Sequence, residues 1–107
     1  METQLADTFA ALGNATRLAI VERLLRDGEV AAGDLADGAI SAPAMSHHFK
    51  VLRAAGIVVQ RVDAQRRLYS VRPEAMRAIG QWSLTHKQFW EQSLNRLDRL
   101  IEKDTRT

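Results

Sequence analysis

Apolar residues recur every three or four positions over the first 26 residues of the chain, which is the spacing of helices with one buried face. The first helix is predicted from Thr3 to Leu12 and ends at Gly13. Asn14 is a favourable N-cap because its side chain accepts hydrogen bonds from free backbone amides. A second helix is therefore predicted over Ala15–Arg26, with Gly28 after its end. Its predicted buried residues are Leu18, Val21, Leu24 and Leu25.

Two further helices joined by a tight turn are predicted between residues 31 and 54. The third helix is short, Ala31–Ala36, and Gly38–Ser41 forms the turn. Proline suits the first turn of a helix, so the fourth helix is predicted over Pro43–Ala54, and Gly56 ends it. On a helical wheel this fourth helix has one apolar and one polar face. The apolar face carries Met45, His48, Phe49 and Leu52, and the polar face carries Ser46, His47, Lys50 and Arg53.

The apolar pattern changes to that of short strands after residue 57. Val58–Val62 and Leu68–Val71 are rich in β-branched and aromatic residues, and polar residues 63–67 connect them. This hairpin is the only strand pair predicted. A helix pair at about 31–55 followed by a wing at about 58–71 is the winged helix-turn-helix arrangement. The predicted fold class is mainly α with a β-hairpin wing, in a single domain that covers all 107 residues.

From Pro73 onward the pattern is helical again, with more apolar residues than so small a domain can cover. Gly80 is a candidate break between a short helix and a long one, so a terminal helix is predicted over about 80–103. A second copy of the chain is the natural cover for such a face in a symmetric oligomer. The predicted interface residues of this homodimer are Leu5, Phe9, Trp82, Phe89, Trp90, Leu94, Leu97 and Ile101.

The net charge is only +2, but the positive charge is concentrated in one third of the chain. Residues 38–72 hold six basic residues and one acid, Asp63, which gives +5; the rest hold nine basic and twelve acidic residues, which gives −3. Concentrated basic charge suits a polyanion, because contacts to phosphates release condensed counterions. Taken alone, the charge also fits a solvated surface.

The polar face of the fourth helix is a candidate for reading DNA, because a recognition helix packs one face on its domain and lays the other in the major groove. Ser46 and His47 can exchange hydrogen bonds with base edges, Lys50 and Arg53 can reach phosphates, and the small Ala44 permits a close approach. Hairpin arginines suit backbone or minor-groove contacts, although charged residues also protect strand edges from aggregation. The predicted wing contacts are Arg61, Arg66 and Arg67.

Four stretches of the chain resemble the ArsR/SmtB family of bacterial transcriptional repressors. They are Phe9–Arg17 (FAALGNATR), Ser41–Leu52 (SAPAMSHHFKVL), Ala55–Val58 and Arg66–Val71. The resemblance covers nearly the whole chain. It implies a homodimer that binds an operator of two half-sites in double-stranded DNA, and repression that a signal relieves.

The chain departs from the metal-sensing members of that family. The family's thiolate segment corresponds to Ala31–Leu35, where Ala and Gly stand in place of sulfur ligands, and the chain has no cysteine. A second family site needs paired ligands on the last helix, where His86 has no spaced partner, and one imidazole does not make a zinc site. No metal or cofactor is expected, and a small-molecule or protein inducer is left open. Trp82 and Trp90 fit a ligand pocket or, preferably, packing at the dimer interface.

Other classes of protein find little support. No apolar run approaches the roughly 20 residues of a membrane span, and no signal segment is visible, so a cytoplasmic protein is expected. No catalytic set can be assembled. His47 and His48 are adjacent on a helix and point about 100° apart, so they do not share one ligand easily; His48 is interpreted as structural.

The function predicted is a sequence-specific DNA-binding transcriptional repressor. Two alternatives remain open, a winged-helix adaptor that binds protein and a protein that binds DNA without sequence preference. The arginine-rich wing favours DNA over a protein partner, because an adaptor would more often expose apolar residues there.

Overall fold

The computed structural model describes residues 2–36 and 38–105, which form six helices and three strands. Along the chain these are α1 Glu2–Leu12, α2 Ala15–Asp27, β1 Val30–Ala31, α3 Ala32–Leu35, α4 Ala42–Ala54, β2 Val58–Asp63, β3 Arg66–Val71, α5 Pro73–Thr85 and α6 Lys87–Thr105. The chain divides within α5 into two compact units, Met1–Met76 and Arg77–Thr107. None of the described helices is both long and apolar enough to cross a membrane.

The two ends of α2 are set by the residues that the sequence indicates. The Asn14 side-chain oxygen accepts hydrogen bonds from the backbone N–H groups of Thr16 and Arg17 at 3.0 and 3.1 Å. Gly28 has a φ of +79°, a conformation that favours glycine, and its N–H donates to the Leu24 carbonyl at 2.8 Å. The predicted bounds of α2 are therefore confirmed to within one residue.

The buried face of α2 is shifted relative to the prediction and includes Ile20, which was not predicted. Ile20, Val21 and Leu24 are buried, whereas Leu18 and Leu25 are 42% and 54% exposed. The prediction was wrong for these two leucines. Successive helical residues point about 100° apart, so Leu25 turns away from the core that Leu24 enters.

The three strands form one antiparallel sheet in the order β1-β3-β2. Val30 and Ala31 of β1 pair with Tyr69 and Leu68 of β3. The prediction of a single strand pair was therefore wrong, because a two-residue strand is too short to show an alternating pattern. The connection between β2 and β3 is also shorter than the five residues predicted. Both strands extend into it, and only Ala64 and Gln65 remain at the turn.

The core of the first unit lies where α2 and α4 pack with the sheet. Met45, Phe49 and Leu52 are buried as predicted for the apolar face of α4, whereas His48, which was predicted on the same face, is only half-buried. Phe49 stacks on Tyr69 of β3, with ring centroids 4.2 Å apart. This contact holds α4 against the face of β3 that carries Tyr69.

In the second unit the helix break lies at His86 and not at Gly80. α5 continues through Gly80 to Thr85, and α6 begins at Lys87. The candidate break at Gly80 is absent from α5, because a glycine inside a helix costs only about 1 kcal/mol relative to alanine and does not end it. The terminal helix therefore starts at Lys87 and not at about residue 80 as predicted. At the break the His86 N–H donates to the Trp82 and Ser83 carbonyls at 3.2 Å.

Candidate nucleic-acid interface

The start of α4 is fixed by its own sequence. The Ser41 hydroxyl oxygen accepts a hydrogen bond from the Ala44 N–H at 3.3 Å, and Pro43 lies in the first turn. Serine at the N-cap satisfies an amide that the helix leaves free, and proline there loses no hydrogen bond. The small Ala44 is half-buried at this end of the helix.

The polar face of α4 points to solvent while the opposite face is buried. The four polar residues that the sequence selects are all exposed, namely Ser46, His47, Lys50 and Arg53. Because Met45, Phe49 and Leu52 anchor the other side, this face has a fixed orientation. The face carries hydroxyl, imidazole, ammonium and guanidinium groups, which can bind base edges and phosphates.

His48 lies between these two faces and contacts α2. One of its ring nitrogens, Nδ1, is 3.4 Å from Nη1 of Arg17, whose Nε donates to the Ala11 carbonyl at 2.6 Å. Desolvation by burial lowers the pKa of His48 below 6.5, and the positive charges of Arg17 and His47 act in the same direction. The His47 and His48 ring centroids are 6.0 Å apart. His48 of α4 therefore contacts the arginine that joins α2 to α1, which fits the structural role predicted for His48.

Arg53 is tied to the wing by a shared acceptor. Its Nη1 donates to Oε1 of Gln60 on β2 at 3.0 Å, and the Tyr69 hydroxyl donates to the same oxygen at 3.0 Å. The Arg53 side chain is otherwise exposed. The sequence selected Arg53 for its charge but gave no sign that Gln60 and Tyr69 set its direction.

Arg61 on β2 is occupied by an acidic partner. Its Nε and Nη2 donate to the two carboxylate oxygens of Glu29 at 3.0 and 2.6 Å. The hydrogen bond raises the pKa of Arg61 and lowers the pKa of Glu29. Glu29 lies outside the basic segment and 32 residues away in sequence. The prediction missed it because the pairing depends on β1, which was not predicted.

Arg66 and Arg67 begin β3 at the tip of the wing, where both are exposed. Neither forms an ion pair within 4.0 Å to any residue of the described ranges. Together with Gln65 and residues 31–34 they line an open cleft of about 400 Å³. These two arginines are thus available for contacts to another molecule.

Comparisons with known proteins identify the family. Residues 12–61 match the helix-turn-helix domain family. The HTH-type transcriptional regulator Rv2034 of Mycobacterium tuberculosis is 39% identical over 97 residues, which cover 90% of this chain and 87% of that regulator. A crystal structure of an ArsR family transcriptional regulator superposes with a TM-score of 0.75 at 26% identity, covering 85% of this chain and 94% of that one. The chain belongs to the ArsR family of helix-turn-helix transcriptional regulators.

A second relative of this ArsR-family chain has a named direction of regulation. The transcriptional repressor SdpR of Bacillus subtilis is 32% identical over 79 residues, which cover 73% of this chain and 87% of SdpR.

The helix-turn-helix match spans α2, β1, α3, α4 and most of β2. The predicted mainly α fold with a β-hairpin wing is confirmed by the helices of the described chain and by the antiparallel pairing of β2 with β3.

The residues of this ArsR-family chain do not fit the thiolate metal site of the family. Ala31 ends β1 and Gly33 lies in α3, and neither carries a donor side chain. Within residues 2–36 and 38–105, no group of three His, Cys, Asp or Glu side chains is placed to hold a metal ion. The donor chemistry that thiolate-bound metals require is thus missing from this segment.

The predicted interface residues of this ArsR-family chain occupy both units. In the first unit Leu5 is half-buried and Phe9 is exposed on α1. In the second unit Trp82 is exposed on α5, and every large apolar side chain of α6 is more than half exposed. Those of α6 are Phe89, Trp90, Leu94, Leu97, Leu100 and Ile101. The prediction omitted Leu100, although its helical spacing could have added it.

Proposed function

We propose that this regulator is a sequence-specific repressor that binds its operator as a homodimer in the cytoplasm. The observation that carries the proposal is the arrangement of α4, whose polar face is exposed opposite a buried apolar face. This is the division that a helix needs in order to pack on its domain and enter the major groove.

Ser46 and His47 are proposed to read base edges, and four cations to bind phosphates. Lys50 and Arg53 extend from α4, and Arg66 and Arg67 extend from the tip of the wing. The anchoring of Arg53 by Gln60 at 3.0 Å supports a defined direction for its remaining donors. Arg61 is left out of this set because Glu29 holds its guanidinium group.

The homodimer is proposed to form through α6. Trp90, Leu94, Leu97 and Ile101 are spaced by four, three and four residues, which is the repeat of a two-stranded helical seam. Lys87 and Glu91 form an ion pair at 3.8 Å on this helix. Because the seam residues are more than half exposed, a second copy would remove a large apolar area from water.

A two-fold dimer carries two copies of α4, and these match two half-sites about 34 Å, or one helical turn, apart. A dimer bound across a promoter would block RNA polymerase sterically. The likeness to the repressor SdpR supports repression over activation. We propose that the relieving signal is not a metal ion, since Ala31 and Gly33 supply no ligand atoms.

Fluorescence anisotropy tests the proposal with DNA from directly upstream of the gene and a scrambled duplex, at about 50 mM and 200 mM salt. We expect preferential binding to the upstream DNA by at least about 10³-fold at the higher salt. Equal, salt-labile binding to both would support binding without sequence preference. Binding to neither would favour a protein-binding adaptor.

Two sets of variants separate the proposed roles. Replacing Arg66 and Arg67 by Ala should weaken binding to all sequences and reduce the salt dependence by about 0.9 for each phosphate that is no longer bound. Replacing His47 by Ala should change the preference among operator base pairs by about 1–3 kcal/mol at one position. If both changes act uniformly on all duplexes, the assignment of base readout to α4 is wrong.

A further inference from the structure

The pairing of Glu29 with Arg61 spans the central strand of the sheet. Glu29 directly precedes β1, Arg61 lies on β2, and β3 runs between these two strands. Arg61 pairs with Leu68, and Leu68 also pairs with Ala31 of β1. Directly opposed residues in antiparallel strands share one face. The Arg61 side chain therefore lies on the Leu68 face, opposite the face on which Gln60 and Tyr69 meet α4.

The geometry of this pair uses two nitrogens of the guanidinium group. Nε donates to one carboxylate oxygen of Glu29 at 3.0 Å and Nη2 donates to the other at 2.6 Å. Such a two-bond pairing fixes direction as well as distance. It therefore holds the arginine along the sheet and neutralises its charge.

Glu29 also brings an acid to the wing that the charge count of residues 38–72 does not contain. The hydrogen bond from Arg61 lowers the pKa of Glu29, and the positive charges of Arg61 and Arg66 act in the same direction. By contrast, Arg66 and Arg67 have no ion-pair partner within 4.0 Å among the described residues. The wing arginines are thus of two kinds, one neutralised within the chain and two available.

We infer that Glu29 is a positioning residue that keeps Arg61 out of the set of phosphate contacts, and so limits the affinity of the wing for DNA. This inference rests on the proposed function. Each phosphate contact strengthens binding to every sequence and makes it more sensitive to salt. By withholding one contact, Glu29 keeps the complex weaker and easier for a signal to dissociate.

The test is the salt dependence of DNA binding by Glu29→Gln, which keeps the shape of the side chain but removes its charge. We expect log K against log salt to become steeper by about 0.9, the contribution of one phosphate contact. At low salt the affinity for the scrambled duplex should rise about tenfold. The double variant E29Q/R61Q should return the slope to that of the unmodified protein.

Two single variants serve as controls. Glu22→Gln removes the same charge from an exposed residue of α2 that has no ion pair within 4.0 Å in the described ranges, so it should leave the slope unchanged. Arg61→Gln alone should also leave the slope nearly unchanged, because Arg61 does not contact DNA in the unmodified protein. The thermal midpoint of each variant should stay within a few degrees, since exposed ion pairs contribute little to stability.

Three results would overturn the inference. If R61Q alone makes the slope of log K against log salt shallower by about one unit, Arg61 already contacts a phosphate in the unmodified protein. If E29Q behaves as E22Q does while the unmodified protein binds DNA, Glu29 does not withhold Arg61 and the inference alone fails. If the unmodified protein binds neither duplex, the proposed function fails and the inference fails with it.

Discussion

α4 and α6 share the same apolar spacing but differ in where their apolar faces lie. Met45, Phe49 and Leu52 of α4 are buried inside the first unit. The corresponding stripe of α6, which includes Leu94 and Leu97, is more than half exposed. The spacing of apolar residues therefore predicts that a helix needs a partner surface, but does not say whether the same chain supplies it.

The difference also separates the two proposed tasks. In α4 the core holds one face still, so that the polar face has a fixed direction. In α6 the apolar face is exposed, and in our proposal a second copy of the chain covers it. Variants that change one helix face at a time separate these two tasks.

The largest effect is expected from a charge in the α6 stripe. Leu94→Asp would place a carboxylate in the proposed dimer seam, where an unpaired buried charge is costly. We expect monomers by light scattering at micromolar concentration and a loss of operator affinity of about 10²–10⁴-fold, because the two recognition helices then bind independently.

Gln92→Asp is the matched control for that variant. Gln92 is exposed and lies two residues from Leu94, which turns it about 200° away from the stripe. This variant should remain dimeric and keep its operator affinity. A dimeric L94D protein would show that α6 does not form the interface.

The next largest effect is expected from a cavity under the buried face of α4. Leu52 of α4 is 0% exposed, so Leu52→Ala should reduce the free energy of unfolding by about 2–5 kcal/mol. In the monomeric L94D background, Leu97→Ala should reduce it by only about 0.5 kcal/mol, because it removes no buried contact. Urea unfolding followed by circular dichroism measures both values. Equal losses would mean that the α6 stripe already packs within its own chain.

The sequence was most informative where structure is local. Asn14 and Ser41 cap the helices that follow them, because a cap depends only on the next two or three residues. The two faces of α4 were predicted for the same reason, since helical spacing alone places them. The polar face of the candidate site could therefore be found before the fold was known.

The features that were missed depend on residues far apart in the chain. The two-residue strand β1 exists only because β3 lies beside it, and the pairing of Glu29 with Arg61 needs that strand in place. The exposure of Leu18 and Leu25 depends on which elements of the fold pack against α2. Position along the chain gives no measure of such contacts, so the sequence alone could not show that Arg61 is paired with Glu29.

The smallest effect concerns His48, which marks the border between the two faces of α4. Burial, with help from the charges of Arg17 and His47, lowers its pKa below the usual 6.5. As the pH falls through 6.5, His48 binds a proton in the unfolded chain but stays neutral in the folded protein. The free energy of unfolding should therefore decrease. The decrease should level off below the lowered pKa, where both states are protonated. Urea unfolding between about pH 8 and pH 5 measures it, and His48→Gln should remove this part of the pH dependence. If the free energy of unfolding of H48Q decreases by the same amount, the pH dependence arises from other groups, and the contact of His48 with Arg17 does not contribute to it.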